Sequence, residues 1–345
     1  MSKEKLICSI PFGYSEVFKD RHYLCCPGWL KEDVYDTGNM HKDFHSDKSN
    51  KIRESILDGS YKYCSETQCP HLAALKQGKL LDNRFVTKTP EMEKHFRNNI
   101  RFKNINLCFD ESCNYKCPSC RLDFINFKGK DRETVEEKLL QVENELSPTL
   151  EKMTLTGGGD PFFSNSFRKF LLRFEPTKFP KLKQIHLITN GSLWNETLWN
   201  KLHKIHPYVT TAEISIDAAT KETYETKTRL GGDWDNLLSN LNFISQIHTI
   251  KKLTFSFVTQ KINYKEMLLF WELFHKLDIK AKYNVFFNHI TNWGTFSEEE
   301  YLDLDISNPE HPEHLQFLDL LQRIDGLPNV VHNFEHLITR EKKLF

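Results

Sequence analysis

Apolar residues recur in two rhythms along this chain. From about residue 103, short runs rich in β-branched and aromatic side chains alternate with stretches whose apolar positions return every three or four residues. The runs 105–109, 153–156, 184–188, 212–216, 253–258 and 283–287 read as strands. Between the first two, Val135, Leu139, Val142 and Leu146 mark one helical face, opened by a Thr134/Glu137 capping box. Further faces are Phe167, Phe170, Leu171 and Phe174; Leu198, Leu202 and Ile205; Leu237, Leu241 and Ile244; and Met267, Trp271 and Phe274. Strands alternating with single helices predict right-handed βαβ units and a parallel sheet. Six units suit an open doubly wound sheet or a partial barrel, and periodicity does not separate the two. Either way the chemistry falls on the loops after the strand C-termini.

The first hundred residues differ in texture, with weak periodicity and many Cys, Asp, Lys and Tyr. Segment 36–50 is polar and reads as a loop, and a helix is expected around 315–324. A boundary near residue 100 divides the chain into 1–99, 100–295 and a C-terminal extension, 296–345. The 47 basic residues are matched by 47 acidic ones, which argues against nucleic acid as a partner, since phosphate-tracking proteins carry a basic excess. Apolar stretches such as 267–271 are far too short to cross a bilayer, so no membrane partner is expected. The N-terminus shows no secretory pattern, and a cytoplasmic location is expected.

Cysteine changes this picture most. All nine lie in the first 120 residues: Cys8, Cys25, Cys26, Cys64, Cys69, Cys108, Cys113, Cys117 and Cys120. In a cytosolic chain such clustering points to metal ligands or catalytic thiols, not disulfides. Cys113, Cys117 and Cys120 follow the first strand at gaps of three and two residues. A cubane [4Fe–4S] cluster takes four thiolates, so three on one loop leave one iron open to bind something directly. A zinc site is the rival, but zinc wants four ligands and no partner knuckle follows downstream.

This CxxxCxxC loop after a first strand resembles that of the radical S-adenosylmethionine (SAM) superfamily, and the likeness spans about residues 100–295. The resemblance implies a partial (β/α)6 TIM-type barrel of the α/β class and a [4Fe–4S] cluster whose open iron binds SAM. Reductive cleavage of SAM would then yield a 5′-deoxyadenosyl radical that abstracts a substrate hydrogen. Gly157, Gly158, Gly159 and Asp160 look like the family's strand-two glycine motif, with Asp for the usual Glu. Thr189 and Asn190 resemble a segment lining the SAM site, as do Ser215 and Asp217 at the end of strand four. Helix capping is the alternative role for Asp217. Ser119 departs from the family's frequent aromatic before the last cysteine. Trp293, in a familiar-looking segment from Asn288 to Gly294, serves the core or a substrate wall.

Upstream, Cys-Cys-Pro-Gly-Trp and the Cys64/Cys69 segment resemble a SPASM/twitch auxiliary-cluster region, here preceding the barrel. The resemblance implies an N-terminal auxiliary iron–sulfur subdomain with a second [4Fe–4S] cluster on Cys8, Cys25, Cys64 and Cys69, Cys26 being the alternative to Cys25. Structural zinc on the same thiols is the competing assignment. Cys108 reads as a buried small residue, with hydrogen-atom donation the alternative for it or for the spare thiol of the 25/26 pair. The function expected is maturation of a ribosomally made peptide or protein by crosslinking, epimerisation or oxidation. A dehydrogenase or epimerase of a sugar or small metabolite is the second enzyme reading, and a zinc-binding interaction protein is the non-enzyme one. An enzyme of this kind needs a reducing partner such as flavodoxin or ferredoxin.

Overall fold

All six strand-like runs form strands in the computed structural model, which describes residues 5–31, 34, 35 and 37–341. The chain divides into two compact units, each discontinuous in sequence. Unit one comprises Met1–Asp110, Phe127–Gly158 and Arg173–Ile185, and unit two Glu111–Asn126, Gly159–Leu172 and His186–Phe345.

Unit one carries the strands β1 (Leu6–Cys8), β2 (Tyr14–Val17), β3 (Arg21–Tyr23), β4 (Val34–Tyr35), β5 (Phe85–Thr87), β6 (Asn104–Leu107) and β7 (Lys152–Leu155). β2, β6 and β7 pair in parallel, with Ser15 opposite Ile105 and Ile105 opposite Met153, and β3 and β4 continue the sheet antiparallel. The segment before residue 100 therefore supplies a strand beside the first strand of the βαβ series, a pairing that local periodicity does not show. β1 and β5 form a separate antiparallel pair.

Of the segment 36–50, read as a loop, residue 36 lies outside the described residues and the rest is largely helical. It forms α1 (Met40–Phe44) and the start of α2 (Asp47–Leu57). Asn39 caps the first through Oδ1, and Ser46 caps the second through Oγ. The buried Met40 and Phe44 anchor α1, so caps and packing outweigh the polar composition. α3 (Pro70–Lys76) and α4 (Pro90–Asn98) follow. α5 (Gly129–Gln141) begins before the expected capping box, so Thr134 lies inside it and returns its hydroxyl to the Lys130 carbonyl.

β8 (Gln184–Thr189) leads into unit two, where β9 (Val209–Ser215), β10 (Lys252–Thr259), β11 (Lys282–His289) and β12 (Val330–His332) are parallel and in chain order. The period-two pattern sorts their side chains. Ile214, Phe255, Phe257, Val285 and Phe287 are buried on one face, while Glu213, Ser215, Thr254, Ser256 and Asn284 alternate with them. The helices of this unit are α6 (Asn165–Leu172), α7 (Glu196–Lys201), α8 (Lys221–Thr223), α9 (Trp234–Ser245), α10 (Met267–His275), α11 (Glu298–Leu304), α12 (His314–Ile324) and α13 (Glu335–Glu341). α10 packs on the apolar face, with the Phe255 and Phe274 rings stacked at 3.8 Å and Phe257 edge-on to Phe270 at 4.8 Å. Met267 and Phe274 are buried as their spacing predicts, but Phe270 takes the place expected of Trp271, whose indole N–H donates to the Pro328 carbonyl.

The architecture is mixed α/β with an extensive parallel sheet, as the βαβ pattern predicts. No helix among the described residues is long and apolar enough to cross a membrane. Phe255→Ala should destabilise the protein by about 3–5 kcal/mol, the range for an emptied aromatic core site. Leu269→Ala, at a 46 % exposed position, should stay within about 0.5 kcal/mol. Urea denaturation of both variants checks the pair.

Candidate metal and cofactor centre

The loop after β6 returns sharply on itself. The Cys113 N–H donates to the Ile125 carbonyl, that of Cys120 to Cys117, and that of Lys116 to Leu230. These ties, all within unit two, bring Cys113 and Cys117 into the interior and leave Cys120 exposed. Each sulfur meets a nitrogen donor. The backbone N–H of Tyr115 and Asn190 Nδ2 lie 3.5 and 3.7 Å from Cys113 Sγ. Arg229 Nη1 lies 3.4 Å from Cys117 Sγ, and Arg121 Nη2 lies 3.4 Å from Cys120 Sγ. Two guanidiniums and several N–H groups around three thiols form a setting for thiolates, because charge-assisted donors favour the anion.

Burial pushes the Cys113 thiol up to about 11 and the Cys117 thiol above its ordinary value. Loading iron must therefore expel protons that burial retains. Among the described residues, no group of three or more His, Cys, Asp or Glu side chains is arranged to hold a metal ion as it stands. The donor set itself suits a thiolate-held cluster: three sulfurs on one loop, with their negative charge met by Arg121 and Arg229.

Asp160 closes the floor of this site. One carboxylate oxygen accepts from Thr189 Oγ1 at 2.6 Å and the Asn190 N–H at 2.9 Å, and the other accepts from the N–H groups of Phe162 and Phe163 at 3.0 and 3.1 Å. Four bonds fill the capacity of a carboxylate, so Asp160 serves the chain itself, through three backbone N–H groups and one hydroxyl. Gly157 is exposed and Gly158 and Gly159 are half-buried, with the Gly158 N–H donating to Thr156 Oγ1 at 3.2 Å. Gly157 and Gly158 belong to unit one, Gly159 and Asp160 to unit two.

Asn190 Nδ2 also donates to Asn114 Oδ1, Asn114 to Ser192 Oγ, and Ser192 Oγ back to Asn190 Oδ1. This closed ring of three braces the cysteine loop against the end of β8. Gly191 between them has φ +76°, and a Cβ there would stand 3.0 Å from Ile214 Cγ2.

Ser215 Oγ pairs with Ser256 Oγ at 3.3 Å. Asp217 does not cap a helix: Thr220 caps α8, while Asp217 Oδ1 accepts from the Val258 N–H at 2.7 Å. Its other oxygen meets Arg229 Nη2 at 2.6 Å. Burial opposes the guanidinium's charge, but the facing Asp217 carboxylate and Cys117 hold the Arg229 pKa above its ordinary value. Arg229 was not among the residues expected from sequence. Its signal was the pair Gly231-Gly232 just after it: a Cβ at Gly232 would fall 2.6 Å from the Tyr224 ring and 2.8 Å from the Arg229 carbonyl. Tyr115 and Tyr224, whose hydroxyls meet at 3.0 Å, were missed too.

Residues 109–273 match the Radical SAM superfamily model. The chain carries a radical SAM domain. Its solved likenesses are distant. A TYW1 structure with a lysine–pyruvate adduct bound is 15% identical, at a TM-score of 0.38, over 64% of this chain and 71% of that one. Native anSMEcpe with bound AdoMet is 20% identical, at 0.40, over 53% of this chain, which spans half (50%) of that chain's length. Archaeal TYW1 is 15% identical, at 0.31, over 60% and 67%. No curated protein matches the sequence. The radical SAM domain takes in the three-cysteine loop, the glycine motif from Gly157 and both Asp217 and Arg229.

Outside the radical SAM domain, in unit one, Cys8, Cys25, Cys64 and Cys69 line one small cavity with Trp29, Tyr61, His71 and Arg84. Cys26 is not among the lining residues. Cys69 caps α3, its Sγ accepting from the Leu72 N–H at 3.4 Å. Burial raises the thiols of Cys8 to about 11 and Cys64 to about 12. Cys108 is buried just after β6, its Sγ 3.8 Å from Glu16 Oε1, as a packed small residue would be. Trp293 is 71 % exposed and so is not part of the core.

Asp160→Asn would turn an amide N–H₂ towards donors that now meet a carboxylate oxygen. The expected loss is at least about 2 kcal/mol, read as a lower urea midpoint, with Asp160→Glu no better because the pocket is fully buried.

Proposed function

We propose that the chain is a radical SAM enzyme whose SAM-binding cluster is held by Cys113, Cys117 and Cys120. The observation that carries this reading is the three-thiol loop, two of its sulfurs buried and each met by a nitrogen donor, inside a radical SAM domain. The bound cluster supplies the electron that cleaves SAM and so generates a hydrogen-abstracting radical. The chain's own part is to hold and insulate. Within unit two, Gly159, Thr189, Asn190 and Ser215 offer the polar groups for bound SAM in this reading. Asp160 and Asp217 act one step behind them, because their carboxylates are taken up by the chain.

A second [4Fe–4S] cluster is proposed on Cys8, Cys25, Cys64 and Cys69. Four thiols around one cavity support it, and their arrangement favours Cys25 over Cys26. The N-terminal segment to residue 99 is the auxiliary SPASM/twitch-like region in this reading, 100–295 the barrel and 296–345 an extension. The substrate proposed is a ribosomally made peptide or protein, modified by crosslinking, epimerisation or oxidation in the cytoplasm, with a flavodoxin- or ferredoxin-like reductant.

Anaerobic reconstitution should give about eight irons per chain, four for each cubane, and dithionite with SAM should yield 5′-deoxyadenosine. Replacing Cys113, Cys117 and Cys120 by Ala should leave about four irons and abolish the product. Replacing Cys8, Cys25, Cys64 and Cys69 should leave about four irons with SAM cleavage retained. Zinc in place of iron at both sites would overturn the enzyme reading, and zinc at the four-thiol site alone would remove the second cluster.

A further inference from the structure

We propose that the buried Asp217–Arg229 pair sets the reduction potential of the SAM-binding cluster, with Arg229 acting as a positioning residue through Cys117. The inference rests on the cluster assignment above and adds to it a device for tuning the cluster.

Arg229 is fixed on three sides. Its Nη1 is 3.4 Å from Cys117 Sγ, its Nη2 2.6 Å from Asp217 Oδ2, and its Nε 3.3 Å from the Ile216 carbonyl. The next residue, Leu230, accepts from the Lys116 N–H inside the cysteine loop, so the guanidinium and the ligand share one backbone anchor. Asp217 is fixed as firmly. It sits at φ +61°, a left-handed conformation that Asp tolerates better than most residues. The Val258 N–H holds its carboxylate, and Asn263 Nδ2 donates to its carbonyl at 2.9 Å.

As a stabilising device the pair gains little, since burying two ions seldom gains stability over apolar packing. What the pair does do is keep a cation of fixed orientation against one ligand sulfur, out of water. Reduction adds negative charge to the cluster, so a buried cation beside a ligand favours the reduced state and raises the potential. Asp217 partly offsets that cation. Arg121 is as buried as Arg229, but its sulfur partner, Cys120, is exposed, so water screens that contact more and leaves it less control.

Removing the cation and removing its counter-charge should therefore shift the potential in opposite directions. The test is an EPR-monitored redox titration of the full-length holoprotein, using the cluster signal that responds to added SAM. Arg229→Gln should move the midpoint to a more negative value. Asp217→Asn, which keeps the bond from Val258 and tolerates the left-handed backbone, should move it to a more positive one and remains informative if the first variant does not fold. Shifts of the same sign, or a midpoint indifferent to Asp217→Asn with the cluster intact, would overturn the inference alone. Wild-type protein that assembles no cluster on Cys113, Cys117 and Cys120 would overturn the assignment beneath it as well.

Discussion

Gathering three thiols on a short loop concentrates negative charge the moment they lose their protons, and two of the three are buried. Charge in a poorly solvated place must be met by cations or oriented dipoles. The rest of unit two reads as an answer to that demand. Arg121 comes from the loop itself and bonds the Glu111 carbonyl as well as Cys120. Arg229 comes from far along the chain and needs its own partner, Asp217, which in turn needs the Val258 N–H and a left-handed backbone. One electrostatic requirement thus extends from a sulfur to the ends of β9 and β10.

Rigidity around the loop is supplied differently, by saturation of hydrogen bonds. Asp160 accepts four, and Asn190, Asn114 and Ser192 close a ring. Networks of this kind tolerate little change, because a single lost partner strands a buried polar group. They also commit the Asp160 and Asp217 carboxylates to donors of the chain itself.

Unit one solves a similar problem with other means. Its four gathered thiols come from β1, a turn before Trp29 and the approach to α3, where the helix N-terminus meets Cys69. Arg84, paired bidentately with Asp82, is the cation at that cavity. Cys26, adjacent in sequence to a lining thiol, is not among the residues that line this cavity.

The sequence by itself determined the elements whose signals are local: six strands by alternation, most of the helices between them, and a three-cysteine loop at the C-terminal end of the first strand. It also marked Gly157, Thr189 and Ser215 as residues of strand ends, since motif and strand end coincide in the chain. Local signals failed where polar composition hid capped helices at Met40–Phe44 and Asp47–Leu57. Tertiary structure alone decided which side chains are spent and which are free. Asp160 and Asp217 look like ligands in the sequence, yet the chain's own donors consume both, among them Thr189, 29 residues from Asp160, and Val258, 41 residues from Asp217. Arg229 carries no motif of its own, and only the fold brings it to Cys117 across 112 residues. Pairings so distant leave no periodic trace, because they depend on where chain segments meet and not on what lies beside each residue.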